Sequence, residues 1–293
     1  MGLYSGKVAV VTGAGSGIGR ALALGLAARG ARLALSDIDE AGLAETAAQV
    51  RAKGAEVDAK RLDVSDAAAF AVYAAEVLDR FGVVHQLYAN AGISGGALPF
   101  LETRPEDFDR VLRINLGGVV NGSRPFLPHL VNSGAGHLVT ISSISGLMAE
   151  GGMSAYVTSK FAVRGFTEAI RVEMLAAGLP VQVVVVHPGG VRTNIASAAL
   201  QNSAGMTAEE RARTEKRARI YNEKLLKMSP EEAGRIILDG IERGRSRIVI
   251  TSKAVWLDRL VRLLPQSYPR RVAAAEKKLF GESPAVRPSA ADG

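Results

Sequence analysis

The sequence predicts an α/β chain built on a doubly wound parallel sheet. Short β-branched runs alternate with Ala- and Leu-rich segments of helical spacing through the first two-thirds of the chain. That alternation puts crossover helices on both faces of a parallel sheet. The run Val183-Val184-Val185-Val186 has no polar alternation, as expected of a strand covered on both faces. The 293 residues are 47% hydrophobic and 22% charged, enough for a sizeable core. No apolar run approaches the roughly 18 residues that would suggest a membrane-spanning helix.

The strands expected in order are Lys7–Thr12, Arg32–Ser36, Val57–Leu62, Gln86–Ala89, Gly136–Ile141, Val181–Val186 and Arg247–Ile250, with helical spacing in intervals such as Ile18–Arg29 and Glu40–Lys53. With no repeat and no interdomain linker, residues 1–252 read as a single domain with two additions. The first is a helical lid insertion at 194–228, which contains the charged stretch from Glu209 to Met228. A new helix then starts at Ser229-Pro230-Glu231-Glu232, with an N-cap, proline at the first helical position and acids in the first turn. The second addition is an amphipathic basic C-terminal helical extension at 253–280. Trp256, Leu257, Leu260, Val261, Leu263 and Leu264 give it an apolar face, with Asp258, Arg259 and Arg262 opposite and Pro265 as a stop. Residues 281–293 are small, polar and Pro-containing, and read as a disordered tail.

The net charge is +7. Residues 1–204 hold 17 basic and 17 acidic side chains, so the excess lies in the last third. No zinc finger, basic zipper or aromatic-interleaved RNA motif accompanies it, so it reads as a solvated face and no nucleic-acid partner is expected. The absence of cysteine excludes disulfides, thiolate nucleophiles and Cys-ligated zinc. His85, His129, His137 and His187 lack metal-binding spacing, and no metal is expected. The opening residues run straight into a strand pattern, so no secretory signal is expected and a cytoplasmic location is the default. The favoured reading of the extension is packing on the domain or on a second subunit. The alternative lays residues 256–271 on a membrane surface, with Arg259, Arg262, Arg270 and Arg271 toward anionic headgroups.

After the first strand comes Thr12-Gly13-Ala14-Gly15-Ser16-Gly17-Ile18-Gly19, followed by a helix. Glycines allow a tight turn and close approach to a diphosphate, and the helix N-terminus offers free N–H groups and a positive dipole end. The spacing is not G-x-G-x-x-G, and a glycine turn alone can be a simple strand–helix connection. The second strand runs into Asp37, where a carboxylate can accept hydrogen bonds from both ribose hydroxyls of an adenosine and would repel a 2′-phosphate. Ser16 adds no positive charge to the turn, so NAD is favoured over NADP. The other reading of Asp37 is a helix N-cap acid.

Together these residues resemble the short-chain dehydrogenase/reductase family over about residues 5–250, a Rossmann-like fold. Thr12-Gly13-x-x-x-Gly17-x-Gly19 matches its cofactor turn, and Asp63-Val64 its adenine-contacting pair. Asn90-Ala91-Gly92 is similar to the family's Asn-Asn-Ala-Gly, with Ala89 in place of the first asparagine. Asn115 stands in Ile114-Asn115-Leu116, Ser143 lies 13 residues before Tyr156, and Tyr156-Val157-Thr158-Ser159-Lys160 is the Tyr-x-x-x-Lys signature. Pro188-Gly189-Gly190-Val191-Arg192-Thr193 resembles the nicotinamide-side loop. The resemblance implies catalysis by Asn115, Ser143, Tyr156 and Lys160. It implies cofactor contacts from Gly13, Ser16, Gly17, Ile18, Gly19, Asp37, Asp63, Val64, Asn90, Ala91, Gly92, Tyr156, Lys160, Pro188, Gly189, Val191 and Thr193. It also implies a homodimer or homotetramer assembled through helices that include the one bearing Tyr156 and Lys160.

These residue types suit hydride transfer. A phenol with an ordinary pKa of about 10 is a poor base near neutrality. Lys160 follows Tyr156 by four residues, on the same helical face, and its ammonium is expected to favour phenolate, with an oxidised nicotinamide pulling the same way. Ser143 would hold the substrate oxygen. The resemblance gives Asn115 a water beside Lys160. Alone, each residue has a plainer reading: Ser143 a strand-end cap, Asn115 a satisfied buried amide, His187 a satisfied strand-end histidine rather than one near the cofactor.

The expected pocket loops are Ile93–Leu98, Ser145–Met153 and Asn194–Met206, with Ile93, Ser145, Leu147, Met148, Met153, Ile195, Leu200 and Met206 as lining and Glu150 the main charge. They suit a small hydrophobic secondary alcohol or ketone. The expected activity is NAD-dependent alcohol oxidation or ketone reduction. The alternatives are an NADP-linked carbonyl reductase and a non-catalytic NAD-binding sensor or scaffold.

Overall fold

The computed structural model describes residues 2–193 and 207–281. The predicted tail, apart from Gly281, and the first part of the predicted lid lie outside the described residues.

Seven parallel strands form one sheet: β1 (Val8–Thr12), β2 (Arg32–Asp37), β3 (Val57–Arg61), β4 (Gln86–Ala89), β5 (Gly136–Ile141), β6 (Val181–His187) and β7 (Arg247–Val249). Their order is β3-β2-β1-β4-β5-β6-β7. All seven fall where the alternation of the sequence put them, with ends shifted by a residue. The crossover helices are α1 (Gly17–Ala27), α2 (Glu40–Ala52), α3 (Ala67–Phe81), α4 (Pro105–Leu112), α5 (Gly118–Asn132) and α6 (Ser154–Ala176). Then come α7 (Ala208–Ile220), α8 (Pro230–Glu242), α9 (Ser252–Leu263) and α10 (Tyr268–Phe280). Asp39 and Asp66 cap α2 and α3 through the amides of Gly42 and Ala69. Ser229 caps α8 as its sequence foretells, accepting from the Glu232 amide with Pro230 in the first turn.

The valine run shows why this sheet must be covered twice. Val183 packs among Phe70, Val77, Phe126 and Leu138 on one face. Its neighbours Val184 and Val186 pack among Leu22, Leu26, Ile237 and Leu238 on the other. Phe70, Tyr73 and Phe126 meet edge-to-face at 6.1–6.4 Å, locking α3 to α5. Strand order reverses direction between β1 and β4, so the loops leaving these two strands diverge and leave a crevice at the carboxyl edge. Thr12 and Asn90 tie that junction together. The Thr12 hydroxyl accepts from the amides of Asn90 and Ala91, and Asn90 Nδ2 donates to the carbonyls of Thr12 and Gly13.

The C-terminal extension departs from its sequence reading in one respect. Asp258 is not on an exposed polar face. Its side chain is 12% exposed and takes a two-point ion pair from Arg247 of β7 at 2.8 and 2.9 Å, with Arg262 at 3.1 Å. A planar guanidinium on the sheet edge selects the carboxylate face over part of the apolar one, so Trp256 and Leu263 are left exposed. Among the described residues no helix is long and apolar enough to cross a membrane.

Phe126 is fully buried, and its truncation opens a cavity between α3, α5 and the sheet. Phe126→Ala is expected to lower the unfolding free energy by about 3–5 kcal/mol, measured by urea denaturation of the two proteins at equal concentration.

Candidate active site

The glycine turn is built for close approach. Gly13 has φ +65°, and a Cβ there would stand 2.8 Å from the Ala91 Cα. At Gly19 a Cβ would meet the Gly13 carbonyl oxygen at 1.9 Å. Gly19 therefore shapes the turn by packing and does not line the crevice, whereas Gly13, Ser16, Gly17 and Ile18 do. The Ser16 side chain makes no capping bond to α1, so first-turn amides of that helix have no side-chain acceptor. This is the local arrangement that receives a phosphate.

At the end of β2, Asp37 lines the same crevice. Its Oδ2 accepts from the Gly15 amide at 2.7 Å and its Oδ1 from the Asp39 amide at 2.9 Å. The cap of α2 is Asp39, so the plain helix-cap reading belongs to Asp39 and not to Asp37. Arg20 is committed to the Gly15 and Gly42 carbonyls and to Glu45. Asp63 and Val64 lie further along the wall, with Asp63 Oδ1 held by the amide and hydroxyl of Ser65. Thr193 stands over the turn, its Cγ2 3.2 Å from where a Gly17 Cβ would be.

The crevice has a volume of about 570 Å³ and runs from Asp37 past Gly13 and Gly92 to Ser143, Tyr156 and Lys160. Asn90, Ala91, Pro188, Gly189 and Val191 also face it. A glycine cradle, uncapped helix amides and a terminal carboxylate in line fit a nicotinamide dinucleotide, with Asp37 at one end of the crevice and Lys160 at the other.

The turn after β5 brings Ser143, Tyr156 and Lys160 to one wall of the crevice. Ser142 Oγ donates to the Lys160 carbonyl oxygen at 2.8 Å, fixing this turn against α6. Ser143 accepts from the Ser145 amide at 3.1 Å, so it also caps a short turn. Tyr156 is half-buried, and loss of hydration pushes its hydroxyl up to about 12. Ser143 pulls it down, and Glu150 adds a further upward push. Lys160 is 3% exposed, donates to the Ile141 carbonyl at 3.1 Å, and is lowered by burial to about 8. Its amine lies 5.6 Å from the centroid of the Tyr156 ring. The sequence-based expectation concerns a phenol made acidic by Lys160 together with an oxidised nicotinamide; in the protein alone, burial shifts Tyr156 upward. There desolvation outweighs the Ser143 hydrogen bond, and near neutrality Tyr156 is a protonated donor.

Asn115 sits behind this pair in a π-helical turn, Arg113–Gly117, fully buried. Oδ1 accepts from the Ile93 amide at 2.8 Å, and Nδ2 donates to the Ile93 carbonyl at 2.8 Å and to Ser159 Oγ at 2.9 Å. The satisfied-amide reading is thus correct for its side chain. A Cβ at Gly92 would stand 3.0 Å from Asn115 Oδ1 and 3.4 Å from Lys160 Nζ, so the glycine lets the two approach. His187 is fully buried. Its Nδ1 meets the Ser143 carbonyl at 2.9 Å, and its Nε2 has no partner. A carbonyl only accepts, so Nδ1 carries the proton, and His187 supports Ser143 from behind rather than facing the crevice.

Of the expected pocket residues, Ile93, Ser145 and Met153 line the crevice. Leu147 and Met148 do not. Both are buried, because the turn at Ile144–Gly146 directs the following residues inward. Ile195, Leu200 and Met206 lie outside the described residues. Sequence reasoning missed Thr214, Arg217, Ala218 and Tyr221 of α7 and the turn after it, which line the Tyr156 end of the crevice with Glu150. Their spacing of three, four and seven is one helical face, but that face carries Thr, Arg and Tyr, so no apolar stripe marks it.

A family model described as short chain dehydrogenase matches residues 7–204. The chain belongs to the short-chain dehydrogenase family. It is an oxidoreductase acting on alcohol or ketone groups. A putative oxidoreductase, SadH, from Mycobacterium tuberculosis is 46% identical over 281 residues, covering 96% of this chain and 99% of its own. A 2-(R)-hydroxypropyl-CoM dehydrogenase from Xanthobacter autotrophicus is 39% identical over 190 residues, 64% of this chain and 75% of its own. The crystal structure of a short-chain dehydrogenase/reductase from Burkholderia phymatum in complex with NAD matches with a TM-score of 0.84 and 34% identity, over 92% of this chain and 97% of that one.

His187 links the site to stability. Burial lowers it from 6.5 to about 4, so between those pH values the unfolded chain binds a proton that the folded chain refuses. This contribution is complete above pH 6.5 and is lost as pH falls toward 4. Wild type is expected to lose up to about 3 kcal/mol more than His187→Gln across this interval, measured by urea denaturation at each pH. Equal losses would contradict the assignment.

Proposed function

We propose that this short-chain dehydrogenase transfers hydride between NAD(H) and a small, predominantly hydrophobic secondary alcohol or ketone, with Tyr156 as general acid and base. The reading rests on one observation: Ser143, Tyr156 and Lys160 share a wall of the crevice whose other end is the Asp37 carboxylate. When bound, the nicotinamide ring exchanges the hydride and, oxidised, adds a positive charge.

In ketone reduction the Ser143 hydroxyl and the Tyr156 hydroxyl both donate to the substrate oxygen. Tyr156 then gives up its proton as that oxygen becomes alkoxide-like. In alcohol oxidation Tyr156 takes the hydroxyl proton, which requires its raised affinity for protons to be offset by positive charge in the crevice. The Lys160 ammonium supplies part of that charge and would hold the nicotinamide ribose. The Ile141 carbonyl holds the Lys160 amine, and Gly92 leaves the space that the amine occupies. Thr193 and the backbone near Val191 would contact the carboxamide.

Two features support NAD. Asp37 repels a 2′-phosphate, and Arg20 is already committed to carbonyls and Glu45. Ile93, Ile144, Met153 and Leu226 support a hydrophobic substrate body, with α7 and the turn after it as the described part of the expected lid. Val172 and Leu175, exposed on α6, support self-association into a dimer or tetramer. A cytoplasmic location accompanies this reading.

Initial rates with 1-phenylethanol, 2-octanol and cyclohexanol decide it. NAD⁺ is expected to exceed NADP⁺ in kcat/KM by at least about tenfold, from like-charge repulsion at Asp37. Tyr156→Phe is expected to lower kcat by about 100-fold or more. Equal use of NADP⁺ would overturn the cofactor assignment, and a Tyr156→Phe protein of near-normal rate would overturn the role of the tyrosine.

A further inference from the structure

The substrate end of the crevice is completed by segments beyond the matched residues 7–204. The inward face of α10 carries Val272, Glu276, Leu279 and Phe280, while Arg270, Arg271, Lys277 and Lys278 are exposed. Glu276 and Phe280 grip the substrate end in two ways.

Glu276 accepts from the Gly151 amide through Oε1 at 3.1 Å and Oε2 at 3.2 Å, and it pairs with Arg217 at 3.2 Å. Arg217 returns to the same residue, donating to the Gly151 carbonyl at 2.8 Å. The backbone N–H and C=O of Gly151, which belong to successive peptides, are thus both held by side chains from distant helices. Phe280 stacks on Tyr221 with centroids 5.7 Å apart and planes at 16°. The Arg217 guanidinium lies 4.5 Å from the Phe280 centroid and 5.7 Å from that of Tyr221. Tyr221 in turn donates to Glu150 Oε2, and Ser145 donates to Glu150 Oε1 at 2.8 Å. Glu150, Met153, Arg217 and Tyr221 all line the crevice next to Tyr156, whereas Glu276 and Phe280 do not. None of these contacts reaches the glycine turn or Asp37.

We infer that Glu276 and Phe280 are positioning residues for the substrate. They hold the 150–153 loop and the Arg217–Tyr221 face of α7 in register over Tyr156, so that α10 sets the affinity for the alcohol or ketone and leaves cofactor binding alone. The inference rests on the oxidoreductase reading above for its kinetic test. If α10 merely stabilised the fold, its loss would act on both halves of the crevice alike.

The test uses full-length Glu276→Ala, Phe280→Ala and the conservative Phe280→Trp. Steady-state kinetics use the fastest of the three alcohols named above, and NADH binding is measured by fluorescence titration. Glu276→Ala and Phe280→Ala are each expected to raise alcohol KM about 3- to 10-fold, the scale of one lost charge-assisted hydrogen bond or cation–aromatic contact. NADH Kd is expected to stay within about twofold, as for a distant independent site, and Phe280→Trp should keep a near-normal KM. Unchanged KM in both alanine variants, or an NADH Kd that moves in step with KM, would overturn the inference. A second measurement needs no substrate: hydrogen exchange of peptides spanning 149–153 and 13–20. Glu276→Ala is expected to accelerate exchange in the first and not the second; unaltered exchange at 149–153 would overturn the inference. Should wild type oxidise none of the alcohols, the functional reading fails while the exchange result still decides the role of α10.

Discussion

The site is organised around a lysine that has almost no access to water. Lys160 is held against the Ile141 carbonyl between the end of β5 and the first turns of α6. Burying an ammonium is costly unless its surroundings are polar and fixed, and the surroundings here answer that need. Gly92 leaves room for it beside Asn115, whose amide is itself locked to the Ile93 backbone. The Ser142 hydroxyl ties the β5 turn to the Lys160 carbonyl. The same ties fix Ser143 and Tyr156 relative to one another, so the stabilisation of a buried cation and the alignment of Ser143, Tyr156 and Lys160 are one arrangement.

The sheet provides the place for that arrangement. Strand order reverses between β1 and β4, and the β1 and β4 loops are bound together by Thr12 and Asn90 as they open the crevice. One side of the opening receives the glycine turn and the uncapped start of α1; the other receives β5, α6 and the loop after β6. The Asp37 and Tyr156 ends are thus parts of one crevice built by different parts of the chain. The Asp37 end comes from segments near in sequence to their strands, whereas the Tyr156 end adds α7, which lies far along the chain and is braced by α10.

That division explains what could be read from the sequence. The strands, the Ser229 cap and the Tyr156–Lys160 spacing are local patterns, and each is encoded within a few residues of itself. Ile93, Ser145 and Met153 were legible as pocket residues because loops at strand carboxyl ends face the crevice. Leu147 and Met148 were not, since a single tight turn at Ile144–Gly146 decides which residues of that loop point inward. The polar face of α7 gave no apolar stripe to find. Asp258 looked solvent-facing until Arg247 of β7 was placed beside it, and the contact between Glu276 and Gly151 joins residues 125 positions apart. The direction in which Tyr156 is shifted was also hidden. Sequence gives the positive neighbour, but desolvation depends on packing from several elements.

The central claim is that burial keeps Tyr156 protonated until positive charge arrives beside it. The most direct measurement is its own titration, by NMR of protein carrying ¹³Cζ-tyrosine and assigned with Tyr156→Phe. The account predicts a midpoint near 12 for the protein alone, against an ordinary value of 10.0, and a lower midpoint with NAD⁺ than with NADH. A midpoint at or below 10.0 in the protein alone, or the same midpoint with both cofactor forms, would contradict it.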